Sequence, residues 1–202
     1  LEMLPENSVK LVPPGPPTNI CSVLQKRPDL AARIREIVLM GGAMREGGNM
    51  TPSAEFNILV DPHAAQIVFR CGRPITVAPL DVSHKVLVNQ QVLETLRQMS
   101  SPVANACVGM LEFFNRHDIE KYGSEGAPLH DPCTIAWLLQ PDLFHGKLCN
   151  IEIECNSELT MGHTAVDFWG VTRRPPNARW LFDVNAEGFF HLLLDLIARY
   201  EA

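Results

Sequence analysis

The 202-residue sequence has no run of 18 apolar residues, no basic block and no Cys-x-x-Cys pair. Each absence excludes a class of protein. Without a long apolar run, no membrane span is expected. Lys and Arg number 17 against 23 Asp and Glu, a net charge of -6, and phosphate binding needs clustered cations, so nucleic acid is not the expected partner. The six cysteines, at 21, 71, 107, 133, 149 and 155, lack the spacing of a zinc site. A chain this long builds a core without disulfide staples. The cysteines therefore read as reduced and mostly buried, and the protein as cytoplasmic. Residues 1–7 have neither the basic start nor the apolar stretch of a signal peptide. Position 1 is Leu, so the beginning reads as a cut end. The glycine pairs Gly41-Gly42 and Gly47-Gly48 are not followed by Gly-Lys-Ser/Thr, and they fit no dinucleotide fingerprint. This argues against a P-loop enzyme and a nicotinamide oxidoreductase. A Gly-x-Ser-x-Gly elbow is also missing, so Asp81-Val82-Ser83-His84 reads as a structural turn.

What is present is a globular α/β pattern. The hydrophobic fraction is 46% and the charged fraction 20%, as in soluble domains. A short strand over 8–12 runs into Pro13-Pro14-Gly15-Pro16-Pro17, a turn that can be neither helix nor central strand. Thr18 is placed to cap a helix to about residue 25, and a second helical stretch covers 28–35. Ile37-Val38-Leu39-Met40 is apolar throughout, as a buried parallel strand is. A long loop, 41–55, follows at the strand's C-terminal end, where open α/β sheets place ligands. Asp61-Pro62 starts a helix to about 71, with Asp capping it. Another apolar strand covers 74–78, and helices are expected over 89–98, 102–117 and 131–139. Strands over 150–154, 164–169 and 179–184 and a final helix over 187–200 complete the pattern. One domain, 1–202, is the simplest reading: an open, mostly parallel sheet flanked by helices, with some antiparallel strand near the C-terminus.

Two segments could carry chemistry. Residues 49–57 place Asn49, Glu55, Phe56 and Asn57 beside the glycine-rich loop. In extended chain Glu55 and Asn57 face the same side. A carboxylate that accepts and an amide that both donates and accepts suit vicinal hydroxyls, as on a sugar. The plainer alternative is a solvated loop with turn-forming Asn and Glu. The second segment is Leu129-His130-Asp131-Pro132-Cys133. Asp131 opens a helix, and capping is the plainer explanation for it. A His-Asp pair at such a junction can also bind a metal or a polar ligand.

Together these segments resemble the inosine-uridine nucleoside hydrolase family. Val38-Leu39-Met40-Gly41-Gly42-Ala43, the stretch 49–57, Asp61-Pro62 and His130-Asp131-Pro132 stand in that family's order and spacing. Gly15-Pro16-Pro17-Thr18-Asn19 resembles its Gly-Pro-Leu-Thr-Asn turn, and the similarity covers essentially the whole chain. Residues 127–134 look closest to the bacterial pyrimidine-preferring branch. The resemblance implies a nucleoside hydrolase fold, a ribonucleoside substrate, calcium and a homodimer or homotetramer. It implies Asp131 and the Pro14 carbonyl as calcium ligands and Asn49, Glu55, Phe56, Asn57, Met40 and Asp131 as substrate contacts. His130 would help the base to depart, and Tyr122 would stand near it.

One hallmark of that family has no counterpart in this sequence: an N-terminal Asp-Thr-Asp-Pro-Gly-x-Asp-Asp motif. Its aspartates supply most calcium ligands and the base that activates water. Calcium takes six to eight oxygens, which Asp131 and one carbonyl do not provide. The family's first strand is expected to be missing with the motif. Two readings follow. Either this is part of an enzyme that splits ribonucleosides into ribose and base, inactive by itself, or it is a truncated, non-catalytic protein that binds nucleosides or a partner.

Overall fold

The computed structural model describes residues 1–99, 101–122 and 126–200, without the side chains of 116–122. Strand β1 (Val9–Leu11) leads through the proline turn to α1 (Thr18–Lys26). Pro28–Arg33 winds as a tight 3-10 turn in place of the expected α-helix. Strand β2 (Ile34–Met40) follows, with its last four residues all buried. After the long loop come α2 (Phe56–Val60), α3 (Pro62–Phe69), β3 (Ile75–Ala78) and the single turn α4 (Leu80–Ser83). The chain continues through β4 (Leu87–Val88), α5 (Gln90–Gln98), α6 (Pro102–Tyr122), β5 (Ala127–Pro128) and α7 (Pro132–Leu139). It closes with β6 (Phe144–Ile153), β7 (Thr164–Asp167), β8 (Ala178–Val184) and α8 (Ala186–Ala198).

Six strands form one sheet in the order β1-β2-β3-β8-β6-β7. Strands β1, β2, β3 and β8 run parallel, while β6 is antiparallel to both β8 and β7. The mostly parallel sheet with an antiparallel part agrees with the sequence reading. One face packs on α1 and α3 through Leu24, Ile37, Leu39, Val68, Val77 and Trp180. The other packs on α4, α7 and α8 through Ala78, Val82, Cys133, Ala136, Leu181 and Phe189. All six cysteines are free; four are buried and two partly so. No helix among the described residues is long and apolar enough to cross a membrane.

The departures have local causes. Strand β6 begins six residues before the expected 150–154. Its first half exposes His145 and Leu148 and contains Gly146, so no apolar run announces it; pairing with β8 makes it a strand. Strand β7 stops at Asp167 because that carboxylate accepts the backbone N–H groups of Val171 and Thr172 and turns the chain. Thr18 is not a cap. Pro17 holds the cap position without a side-chain bond, and the Thr18 hydroxyl donates to Asp61 at 2.7 Å. Asp61 does cap α3, accepting from Ala64 N at 2.9 Å.

The site is set where β2 and β3 end side by side, Met40 opposite Ala78. Beyond Met40 the chain must swerve. Gly42 has φ +79°, and a Cβ there would lie 2.8 Å from Thr164 Oγ1, so both conformation and space demand glycine.

Candidate active site

The two segments singled out in the sequence, 49–57 and 130–131, meet in one cleft of about 490 Å³ at the C-terminal ends of β2 and β3. Pro14, Met40, Asn49, Glu55, Phe56, Asn57, His130 and Asp131 all line it, as do Met50, His84 and Phe114. Tyr122 falls outside the described side chains.

Glu55 and Asn57 reach the cleft differently from the extended arrangement expected. Glu55 stands at the start of α2 and Asn57 in its first turn. The Glu55 carboxylate is 2% exposed and accepts three backbone N–H groups: Gly42 at 3.0 Å, Asn57 at 2.9 Å and Ile58 at 3.3 Å. Burial pushes its carboxyl up from the ordinary range, and the charge of Asp131 adds to this, against the pull of the three donors. Glu55 thus caps a helix and pins the glycine turn as well as facing the cleft. Glu55→Ala is therefore expected to cost about 3 kcal/mol, because buried N–H groups lose an anionic acceptor. Urea denaturation checks this, and a loss below about 0.5 kcal/mol would remove Glu55 from the scaffold.

Asn57 is buried, and its Nδ2 donates to the carbonyls of Pro14 at 3.0 Å and Met40 at 3.1 Å. It ties the proline turn to the end of β2. Asn49 Oδ1 accepts from Phe56 N at 3.0 Å, which fixes the loop to the start of α2. Asp81, buried in α4, accepts from Met44 N at 2.8 Å and Arg45 N at 2.7 Å and anchors the same loop from the other side. Its carboxylate is thereby committed to structure.

Asp131 is not the cap that its place before Pro132 suggests. It already has helical angles, φ -63° and ψ -41°, and its side chain makes no capping bond. The carboxyl lies on the cleft wall, raised above the usual range by partial burial. His130 beside it is largely buried. Burial and, next, the nearby His84 push its imidazole down to about 4, so it is neutral at pH 7. Its Nδ1 lies 2.7 Å from Ser83 Oγ. His84 stands 5.8 Å away, ring to ring, with Glu46 3.0 Å from its Nδ1. The sequence reading missed Ser83, His84 and Phe114 as neighbours of the site; Asp81 to His84 does form a turn, and that turn also supports His130. Phe114, Phe113 and Trp169 are exposed.

Oxygen donors suited to calcium are present but few. Asp131 and the Pro14 carbonyl share the cleft, and that carbonyl already accepts from Asn57. Both Glu55 oxygens are bound to backbone N–H groups. Among the described residues no group of three or more His, Cys, Asp or Glu could hold a metal. Two donors do not fill a shell of six to eight, so the described residues by themselves do not complete a site for the ion.

The family model described as inosine-uridine preferring nucleoside hydrolase matches residues 1–191. The chain belongs to the inosine-uridine preferring nucleoside hydrolase family. A pyrimidine-specific ribonucleoside hydrolase RihA of Shewanella sp. (strain ANA-3) is 50% identical over 96% of this chain. The protein of the same name in Escherichia coli O1:K1 / APEC is 45% identical, again over 96%. This nucleoside hydrolase chain spans 61% of the first relative's length and 63% of the second's. Among solved structures, a purine-preferring ribonucleoside hydrolase from Gardnerella vaginalis superposes with a TM-score of 0.88 at 28% identity. It is matched over 97% of this chain and 62% of its own. A plant nucleoside hydrolase, PpNRh1, gives 0.86 at 26% identity, over 96% of this chain and 63% of its own. The structural neighbours thus include a purine-preferring enzyme while these two sequence relatives are named pyrimidine-specific, so the shared fold does not decide the base.

Proposed function

We propose that this chain is the ribose-binding part of a nucleoside hydrolase that cleaves the N-glycosidic bond of pyrimidine ribonucleosides to give ribose and a free base. The observation that carries the reading is the meeting of Asn49, Glu55, Asn57, His130 and Asp131 in one cleft, in a chain half identical to a pyrimidine-specific relative.

Cleavage sends the bonding pair from the sugar carbon to the base nitrogen and leaves positive charge on the ribose. Asn49 offers its amide N–H and Asn57 its amide oxygen to ribose hydroxyls, since their other amide atoms hold the scaffold, and Asp131 and Glu55 place negative potential beside the sugar. His130, neutral at pH 7, offers a hydrogen bond to the departing base, which favours bond breaking. Activation of the attacking water needs a carboxylate within reach, and Glu55 and Asp81 are both committed to backbone N–H groups. Calcium would supply Lewis-acid chemistry to hydroxyls and water, but its shell cannot be closed from the donors seen here. Beside Asp131 lies a second, apolar cleft of about 440 Å³ walled by Val12, Ile135, Leu139 and Leu192, and β1 is an edge strand. The length that relatives have beyond this chain would sit there and bring the remaining carboxylates. Read alone, the chain is a nucleoside-binding module, which the shortage of metal donors favours.

The test is turnover by the protein extended to its relatives' full length. Uridine and cytidine should be hydrolysed about tenfold faster than inosine or more, a spread within reach of pocket contacts. A strong inosine preference would overturn the pyrimidine assignment, and no hydrolysis of any ribonucleoside would overturn the function.

A further inference from the structure

Ser83 ends α4 and is fully buried, and its hydroxyl meets Nδ1 of His130, 47 residues on, at 2.7 Å. Two proton arrangements share that distance. If Nδ1–H donates to Oγ, the hydroxyl proton is left in the core with no second acceptor among the described residues. A buried donor without a partner is costly. If the hydroxyl donates to Nδ1, both groups are satisfied and the ring's own proton sits on Nε2. The second arrangement leaves His130 as a donor on the cleft that it lines. The ring is also confined from the side by His84, tilted 54° to it, and His84 is tied to the 41–55 loop through Glu46.

We propose that Ser83 is a positioning residue for the site, holding His130 in the Nε2–H tautomer so that its single N–H is kept for a ligand in the cleft. Use of that N–H on a departing base rests on the proposed nucleoside hydrolysis; the tautomer itself does not. Ser83 acts through His130 and touches no substrate, which separates it from the residues the cleft presents directly.

Long-range ¹H–¹⁵N spectra of the histidine-labelled 202-residue protein at pH 7 test this, with His130 assigned by the loss of its signals in His130→Gln. The wild-type ring should show Nδ1 as an unprotonated acceptor and Nε2 as protonated. Ser83→Ala should shift both nitrogens towards the averaged positions of a tautomer mixture, and Ser83→Thr, which keeps the hydroxyl, should restore the wild-type pattern. A wild-type ring protonated on Nδ1, or a Ser83→Ala spectrum unchanged from wild type, would overturn the assignment. The wild-type spectrum decides by itself if Ser83→Ala fails to fold. A protein with the locked tautomer whose full-length form hydrolyses no ribonucleoside would overturn the proposed function and leave this inference standing.

Discussion

Asp131→Asn, made in the protein extended to its relatives' full length, is expected to lose about a hundredfold or more in turnover while unfolding at an unchanged urea concentration. The two halves of this result come from one observation. Asp131 precedes a helix but makes no capping bond, so the substitution removes nothing from the scaffold, and surface changes of this kind stay within about 0.5 kcal/mol. A hundredfold loss corresponds to about 2.7 kcal/mol of transition-state stabilisation. That is the scale of losing a charge-assisted contact to a developing cation or to a metal that holds the sugar. Near-normal turnover would return Asp131 to an ordinary helix start. A parallel loss of stability would mean that the carboxylate supports the fold after all.

The 202-residue chain alone, given uridine and millimolar calcium, is expected to release uracil no faster than buffer does. General-base help contributes about 10²–10⁴-fold, and Asp131, the cleft carboxylate that caps no helix N–H, is the one assigned to the sugar or a metal. Asp81 accepts two backbone N–H groups and Glu55 three, so neither can serve without dismantling the loop it holds. Calcium affinity follows the number of anionic oxygens, and Asp131 with one shared carbonyl gives little. Calorimetric titration with calcium should show no saturable heat at micromolar protein. Brisk turnover or tight calcium binding would mean that the cleft is complete as it stands.

The parts of the fold that depend on burial were readable from the sequence. β2 and β3 are buried over most of their length and appear as plain apolar runs. The first half of β6 is held by pairing and not by burial, and α2 is five residues long and depends on the Glu55 carboxylate, so neither leaves a periodic signal. The site divides in the same way. Residues 49–57 and 130–131 stood out because polar groups cluster there beside a glycine-rich turn. That Ser83 would meet His130 is a contact between distant segments, which no local pattern encodes. The two Asp-Pro pairs show the limit most clearly. Asp61 and Asp131 look identical in sequence, yet Asp61 has φ -148°, and its carboxylate folds back onto Ala64 N. Asp131 is already helical at φ -63° and bonds no helix N–H. Tertiary packing, not the dipeptide, selects the cap.

The central claim is that this cleft holds a ribose, and uridine titrated into the ¹⁵N-labelled 202-residue protein tests it most directly. The side-chain amide signals of Asn49 and Asn57 should shift together and saturate. Free ribose should move the same signals, and 2′-deoxyuridine should bind about tenfold more weakly, because a hydroxyl partner is lost. Equal binding of uridine and 2′-deoxyuridine, or shifts that leave both asparagines untouched, would contradict the account.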